Sequence, residues 1–507
     1  MVTLLWIIPI AVSSYLFIGA IYRLYFHPLS KFPGPKVAAL TYLYELYFDA
    51  FQGGQYIWEI KRLHERYGPI IRINPSQLHI KDSYYFDEIY SSRKQDKDYH
   101  AVAGFGVPGS VISAIDHEHH RFRRNLLNNF FSRRSVMNTE NLVLEKIGLV
   151  IDYLEHAFKE KEIVKADALF AAFTSDVISQ FAYGWCFDTL KDKALKNEIR
   201  DMVTGQMAIV PIARYFPPLI ALLDIVPPSL VEFFKPKTRG LFNAKRRVSQ
   251  QCADTLRECS ERAKRGIKSQ DRVHKTVFEA ICNPSLPPEE LAIHRLRDEA
   301  MGIYGAGAET SARVLTMGAF YIYRDKSRLL KLREELKQVL PTVDSKANWI
   351  QLESLPYLTA VINESLRLTH TAPGRFPRAA KTETLAYKEY TIPPGTSVSQ
   401  SNYFVHMDPE IFPNPEKFDP ERWIRATQEG VRLERFLVAF SKGHRICLGF
   451  NLAYLELYTA FASIVRRFDM DLHDTLEENI RFAREFVLGA PKIDTNGVQM
   501  KVVSIVD

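Results

Sequence analysis

The chain has 507 residues, 46% of them hydrophobic and 25% charged, a globular balance with ample material for a large core. Its formal charge is +7, yet the basic residues are dispersed, which argues against nucleic acid and for a membrane surface or an acidic protein partner. Cys186, Cys252, Cys259, Cys282 and Cys447 form no CxxC pair, which speaks against a disulfide framework or zinc ribbon and suits a reducing compartment.

The chain opens with an apolar run, Leu4 to Tyr22, that carries no charged side chain. As a helix it spans roughly 28 Å, about one bilayer core. No Lys or Arg precedes the run, whereas Arg23, Lys31 and Lys36 follow it. That asymmetry favours an uncleaved anchor over a signal peptide and keeps the rest of the chain cytosolic. "KFPGPK", Lys31 to Lys36, reads as a stiff linker, because proline fixes φ and restricts its predecessor. With no repeat or low-complexity linker beyond it, the expected organisation is an anchor (1–24), a hinge (25–38) and one large catalytic domain (39–507).

Tyr67 to Asp82 alternates apolar and polar residues around Asn74-Pro75 and predicts a hairpin. "GFGVPG", Gly104 to Gly109, fits a dinucleotide fingerprint by letter only, since no strand–turn–helix frames it; a glycine-rich surface or substrate loop is expected. "HEHH", His117 to His120, lacks further ligands for zinc. From about Arg121 to Arg200 the spacing is helical, with "AFTSDVISQFAYG" as the clearest amphipathic piece. Ile212 to Leu230 is a proline-broken apolar stretch, a roof or a second membrane-contacting patch. Pro288 to Asp325 predicts one long apolar helix, with proline in its first turn and Glu289 and Glu290 at its positive end. Shorter helices follow to about Thr369, and "NES" at Asn363 falls on one of them, out of reach of glycosylation. Short strands then lead to "FLVAFSKGHRICLGF" and an apolar helix, Leu448 to Phe468. The fold class expected is mainly α with minor β.

Cys447 sits where a thiolate would be favoured over a thiol. Lys442 and Arg445 are cationic neighbours, Gly443 and Gly449 allow the backbone to fold closely, and a helix N-terminus follows. Phe440 offers a ring to shield the sulfur. Phe440, Gly443, Arg445, Cys447 and Gly449 occupy every fixed position of F-x-x-G-x-R-x-C-x-G. That pattern resembles the haem-binding signature of the cytochrome P-450 family, and the resemblance runs from the anchor to the C-terminus in the expected motif order.

The resemblance implies a cytochrome P-450 fold and haem b, with Cys447 thiolate as the axial iron ligand. It implies a buried charge cluster of Glu364, Arg367 and Arg422, with a structural role. "AGAETS", Ala306 to Ser311, resembles the oxygen-activation segment of the distal helix, with Glu309 and Thr310 in proton delivery. A glycine inside that helix needs a reason, and close approach of the macrocycle at Gly307 is the one expected. Propionate partners would be Arg445, Arg378 and Arg124, with His120 where relatives often carry tryptophan.

The texture is similar to trichodiene oxygenase-like fungal members of secondary metabolism. That implies a monooxygenase inserting one atom of O2 into a lipophilic terpenoid or polyketide, by hydroxylation or epoxidation. Electrons would come from NADPH through a separate cytochrome P-450 reductase landing near Lys442 and Arg445, at the endoplasmic reticulum membrane, with a single-pass anchor and no nucleic acid partner. Substrate contacts are expected in Ala101–Ile115, around Tyr304, in Thr371–Phe376 and in Phe486–Ala490. Two alternatives stay open: a haem–thiolate isomerase or dehydratase working without a reductase, and a non-enzymatic anchored haem or lipid-binding protein.

Overall fold

The computed structural model describes residues 2–90, 93–217, 226–227, 229–230, 233, 239–265, 276–492 and 495–506. Much of the Ile212–Leu230 stretch lies outside them. The first helix, α1 (Val2–Ile21), belongs to the one stretch among the described residues that is long and apolar enough to cross a membrane, and none of that stretch is buried. The hinge that follows is docked: Leu29 and Phe32 are buried with Ile70, Leu78 and Ile80, and Arg72 Nη1 donates to Arg23 O at 2.8 Å. A short helix, α2 (Leu43–Leu46), continues as a wider turn through Phe51.

The predicted hairpin forms as β1 (Ile70–Arg72) and β2 (Gln77–Ile80), antiparallel with Ile70 opposite Ile80. It extends into a five-stranded sheet with β3 (Asp96–Lys97), β4 (Arg378–Ala379) and β5 (Ser397–Ser399), in the order β1-β2-β5-β4-β3. The register of the last pair sets Lys97 directly opposite Arg378.

Helices make up most of the rest. Those that frame the site are α3 (His117–Asn128), α4 (Ala166–Tyr183), α5 (Glu198–Ala213), α6 (Ile293–Arg324), α7 (Pro356–Thr369) and α8 (Phe450–Arg467). A final hairpin pairs β6 (Arg484–Phe486) with β7 (Leu488–Ala490). The long α6 runs through the largest core, packed on α4, α5, α7 and α8.

Three sequence expectations change here. The α4 segment from Ala172 to Ala182 is buried on nearly every side rather than amphipathic. Its polar residues are satisfied inside the protein: Thr174 donates to Ala308 O, and Asp176 accepts from the N–H groups of Thr189 and Leu190. The helix expected from Pro288 is broken, because a 3-10 turn (Pro288–Leu291) ends at Ala292 in extended backbone and α6 starts at Ile293. Glu290 serves no helix dipole; it is buried against His119, Arg123 and Arg295. The helix after Cys447 starts at Phe450, two residues late, with Gly449 as its N-cap.

Candidate active site

The stretch around Cys447 folds back on itself: Cys447 N donates to Phe440 O at 2.9 Å and Ile446 N to Gly443 O at 3.1 Å. Gly443 turns the chain at φ 69°, a left-handed conformation that a side chain would strain. Gly449 has an ordinary φ of −89° and helps differently, its N–H pointing at the Cys447 sulfur. Phe440 packs on Tyr454 with ring centroids 5.3 Å apart.

Cys447 is surrounded by protein, yet its side chain keeps open surface, so it borders internal space. Burial pushes its thiol up, while the Gly449 N–H and the Arg124 guanidinium pull it down. The cation acting on the sulfur is therefore Arg124, which also donates to Ile446 O at 2.7 Å. Lys442 and Arg445 do not take the part expected of them. Lys442 is turned away onto Asp87, at 2.5 Å, and Arg445 reaches Ala114 O and Ile115 O, each at 2.7 Å.

Arg124, Arg378, Arg445, His120 and Lys97 gather around this loop. Arg378 Nη1 is bound to the carbonyls of Phe376 and Pro377, and Lys97 to that of Ile112. Arg445 Nε is buried without a partner. Burial lowers all five, and each of Lys97, His120 and Arg445 is lowered further by its cationic neighbours: Arg445 falls to about 9, against the opposing pull of the more distant Asp96 and Asp116, and His120 to about 2. Among the described residues none of the five has a carboxylate within ion-pairing distance. Like charges set opposite each other in a sheet, as Lys97 and Arg378 are, repel. His120 is thus a neutral imidazole; it and Arg378 are buried, while Arg124, Arg445 and Lys97 are half-buried. Basic groups packed this closely, with no carboxylate paired to them among the described residues, suit an anion, and two propionates beside a cysteine sulfur meet that need. The residues fit haem. Lys97 escaped sequence reasoning because its strand is two residues long and shows no periodicity.

On α6 the "AGAETS" segment divides between two faces. Ala306 is exposed in mid-helix, and Thr310 Oγ1 donates to Ala306 O at 2.7 Å. Glu309 instead lies buried, 3.2 Å from Arg200 Nε and 3.4 Å from Arg313 Nε; Arg200 in turn holds Asp167 at 2.6 Å. These four charges line a cavity of about 240 Å3 with Thr316 and Phe482, which neither Ala306 nor Thr310 reaches. Gly307 has a packing reason rather than the expected one: a Cβ there would sit 2.5 Å from Ile178 Cγ1 on α4. Tyr304, around which substrate contacts were expected, is fully buried and stacked on Tyr183, ring centroids 4.5 Å apart.

The structure brings Glu364, Arg367 and Arg422 together. Glu364 Oε1 accepts from Arg367 Nη2 (2.7 Å), Arg422 Nε (3.1 Å) and Asp419 N (2.9 Å). Its Oε2 accepts from Arg367 Nε (2.9 Å) and Trp423 Nε1 (3.0 Å). "GFGVPG" is a loop whose Gly109 N–H donates to Asp298 Oδ2 at 2.9 Å. His117 to His120 form no three-ligand metal cluster among the described residues, and Asn363 is buried.

A mainly helical domain with a folded-back cysteine loop, and basic groups gathered beside the sulfur, defines a haem protein of the thiolate-ligated class. The family model for Cytochrome P450 matches residues 40–496, and the chain belongs to that family. It is similar to conidiogenone synthase of Penicillium rubens, 40% identical over 484 residues that cover 95% of this chain and 96% of the relative. It is 40% identical to the cytochrome P450 monooxygenase aflU of Aspergillus parasiticus over 497 residues, covering 97% and 96% of the two chains. Identity to the cytochrome P450 monooxygenase TRI4 of Trichoderma arundinaceum is 38% over 482 residues, 95% of this chain and 92% of that one. The protein is a monooxygenase of lipophilic substrates that uses thiolate-ligated haem and electrons from a redox partner.

Proposed function

We propose that Cys447 is the axial ligand of haem b and that Arg124, Arg378, Arg445, His120 and Lys97 receive its propionates. The observation that carries this reading is the gathering of Arg124, Arg378, Arg445 and Lys97, none ion-paired with a carboxylate among the described residues, beside a sulfur that borders internal space. Haem with an axial thiolate supplies the electron donation that favours O–O cleavage. The chain's own residues place the substrate, keep water from the sulfur and deliver protons. Phe440, Gly443 and Gly449 shape the loop around the sulfur. Thr310 holds a proton donor at the exposed turn of α6. Glu309, clamped by Arg200 and Arg313, supplies protons only when that clamp loosens. Glu364, Arg367 and Arg422 lock the segment from Pro413 to Trp423 against α7 and take no part in the chemistry.

The substrate class is a terpenoid or polyketide intermediate of fungal secondary metabolism, a reading supported by relatives whose names include conidiogenone synthase. The electron donor is NADPH–cytochrome P450 reductase. Residues 1–24 form a single-pass anchor in the endoplasmic reticulum, 25–38 a hinge, and 39–507 a cytosolic catalytic domain, supported by the exposed apolar α1 and the basic residues that follow it.

The test is spectroscopic. Reduced wild type exposed to carbon monoxide should show the red-shifted Soret band of a thiolate ligand, and Cys447→Ala should lose it. Persistence of that band in Cys447→Ala would remove Cys447 from the iron. With the reductase and NADPH, wild type should consume oxygen in step with product from a lipophilic substrate.

A further inference from the structure

One cluster of buried charge takes no part in the proposed haem site. Asp49, on the turn after α2, is 3% exposed. Its Oδ2 accepts from Arg214 Nη1 at 2.9 Å and from the Tyr215 hydroxyl at 2.7 Å, both just past the end of α5. Its Oδ1 has no partner. One turn earlier, Glu45 accepts from Arg375 Nη2 at 2.8 Å and Asn74 Nδ2 at 3.0 Å, with His100 Nε2 at 3.6 Å. The Tyr215 ring stands edge-on to His100, centroids 5.1 Å apart. Glu485 of β6 faces the same group and acts on both Asp49 and Arg375.

The cluster thus ties α2 to the end of α5, to the His100 helix, to the 371–376 loop and to the β6–β7 hairpin. Those segments adjoin the stretches assigned to substrate. In its first half, α5 packs on α6 at Gly305, where Val203 Cγ2 lies 3.5 Å and Met202 Cε 3.9 Å from the place of a Cβ. The next residue is the exposed Ala306. The helix whose end Asp49 holds thus packs beside the open turn of α6.

We propose that Asp49, gripped by Arg214 and Tyr215, is a proton-operated latch that holds the end of α5 against the turn after α2 and sets how fast ligands reach the haem site. That ligands enter beside α5 rests on the haem reading above. Burial pushes Asp49 up to about 6; Arg214 and Arg375 oppose the rise, and Glu485 and Glu45 add to it. An acid raised in this way is ionised at neutral pH and takes up its proton as the pH falls through about 6. Protonation removes the charge facing Arg214, whose next carboxylate, Glu45, is 3.8 Å away and already engaged by Arg375. Burial works against the charged form of Glu45, but Arg375, His100 and Arg214 hold it well below the usual range, so it stays ionised. Burial keeps the Tyr215 and Tyr56 hydroxyls neutral.

The test uses the full-length holoprotein in phosphatidylcholine nanodiscs and tebuconazole, a triazole that stays uncharged over the range, with stopped-flow detection of the Soret shift. Wild-type association should quicken about fivefold between about pH 7.5 and about pH 5.5, with its midpoint near that of Asp49. Asp49→Asn should be fast at every pH, while His100→Asn should keep the wild-type response. If Asp49→Asn fails to fold, Tyr215→Phe should quicken association at neutral pH. Amide hydrogen exchange in 209–217, corrected for the intrinsic pH effect, should rise over the same interval. A flat wild-type profile, an Asp49→Asn profile like wild type, a response lost in His100→Asn, or unchanged exchange would each overturn the latch. Absence of any Soret shift would count against the haem reading, and the exchange comparison would still decide the latch.

Discussion

Replacing Glu364 by Gln keeps the side chain's shape and removes its charge, which isolates what that charge does. The carboxylate is completely buried and accepts five hydrogen bonds from Arg367, Arg422, Trp423 and Asp419. An amide placed there must turn its NH2 toward donors. Set at the Oε2 position it meets Arg367 Nε and Trp423 Nε1; set at Oε1 it meets three. Either way two buried guanidinium groups lose their counter-ion. They keep carbonyl acceptors, Arg367 at His406 and Pro415 and Arg422 at Pro413, so they stay hydrogen-bonded without being neutralised. Removing one partner of a buried pair typically costs about 3–5 kcal/mol, against a total stability of about 5–15 kcal/mol. The Glu364→Gln protein should therefore unfold at markedly lower denaturant, followed by far-ultraviolet dichroism, and carry less haem per chain by Soret absorbance. A variant within about 1 kcal/mol of wild type and fully loaded with haem would refute the claim that this charge holds the segment together.

The remaining predictions concern α6 and α8. Burial raises Glu456 to about 8, against a hydrogen bond from Ser311, so the folded protein keeps a proton that the unfolded chain releases. Stability should then fall by about 4 kcal/mol as pH climbs from the usual carboxylate range toward 8; Glu456→Gln should flatten that slope and raise Tm at pH 8 far more than at pH 5, and an unaltered slope would exclude Glu456 as its source. Gly307→Ala would press a methyl into Ile178 and should cost about 1–3 kcal/mol, partly recovered by Ile178→Ala in a double-mutant cycle; no coupling would mean the glycine serves something other than this packing. Thr310→Ala should leave haem content intact and divert NADPH to peroxide, with Thr310→Ser close to wild type; unchanged product yield per NADPH would end the proton-delivery role.

What could be read in advance was local. The Cys447 loop is a ten-residue motif whose glycine turn and returning N–H are set by neighbours in sequence, so its geometry followed from its letters. Glu364 and Arg367 share a helix face for the same reason, and only their meeting with Arg422 required the fold. The failures all concern which neighbour a side chain meets across the structure. A glycine in α6 announces that something comes close, yet composition cannot distinguish a macrocycle from Ile178, because both demand the absence of a Cβ. Lys442 looked like a partner for sulfur, but Asp87 is an anion within reach and takes its ammonium. Glu309 adjoins Thr310 in sequence and is rotated about 100° from it around the helix, so the two face different surroundings. Lys97 shows the deepest limit: its place beside Arg378 follows from the register of two-residue strands nearly three hundred positions apart. Register is chosen by the whole sheet, so no local signal in the sequence could announce that the two cations would stand side by side.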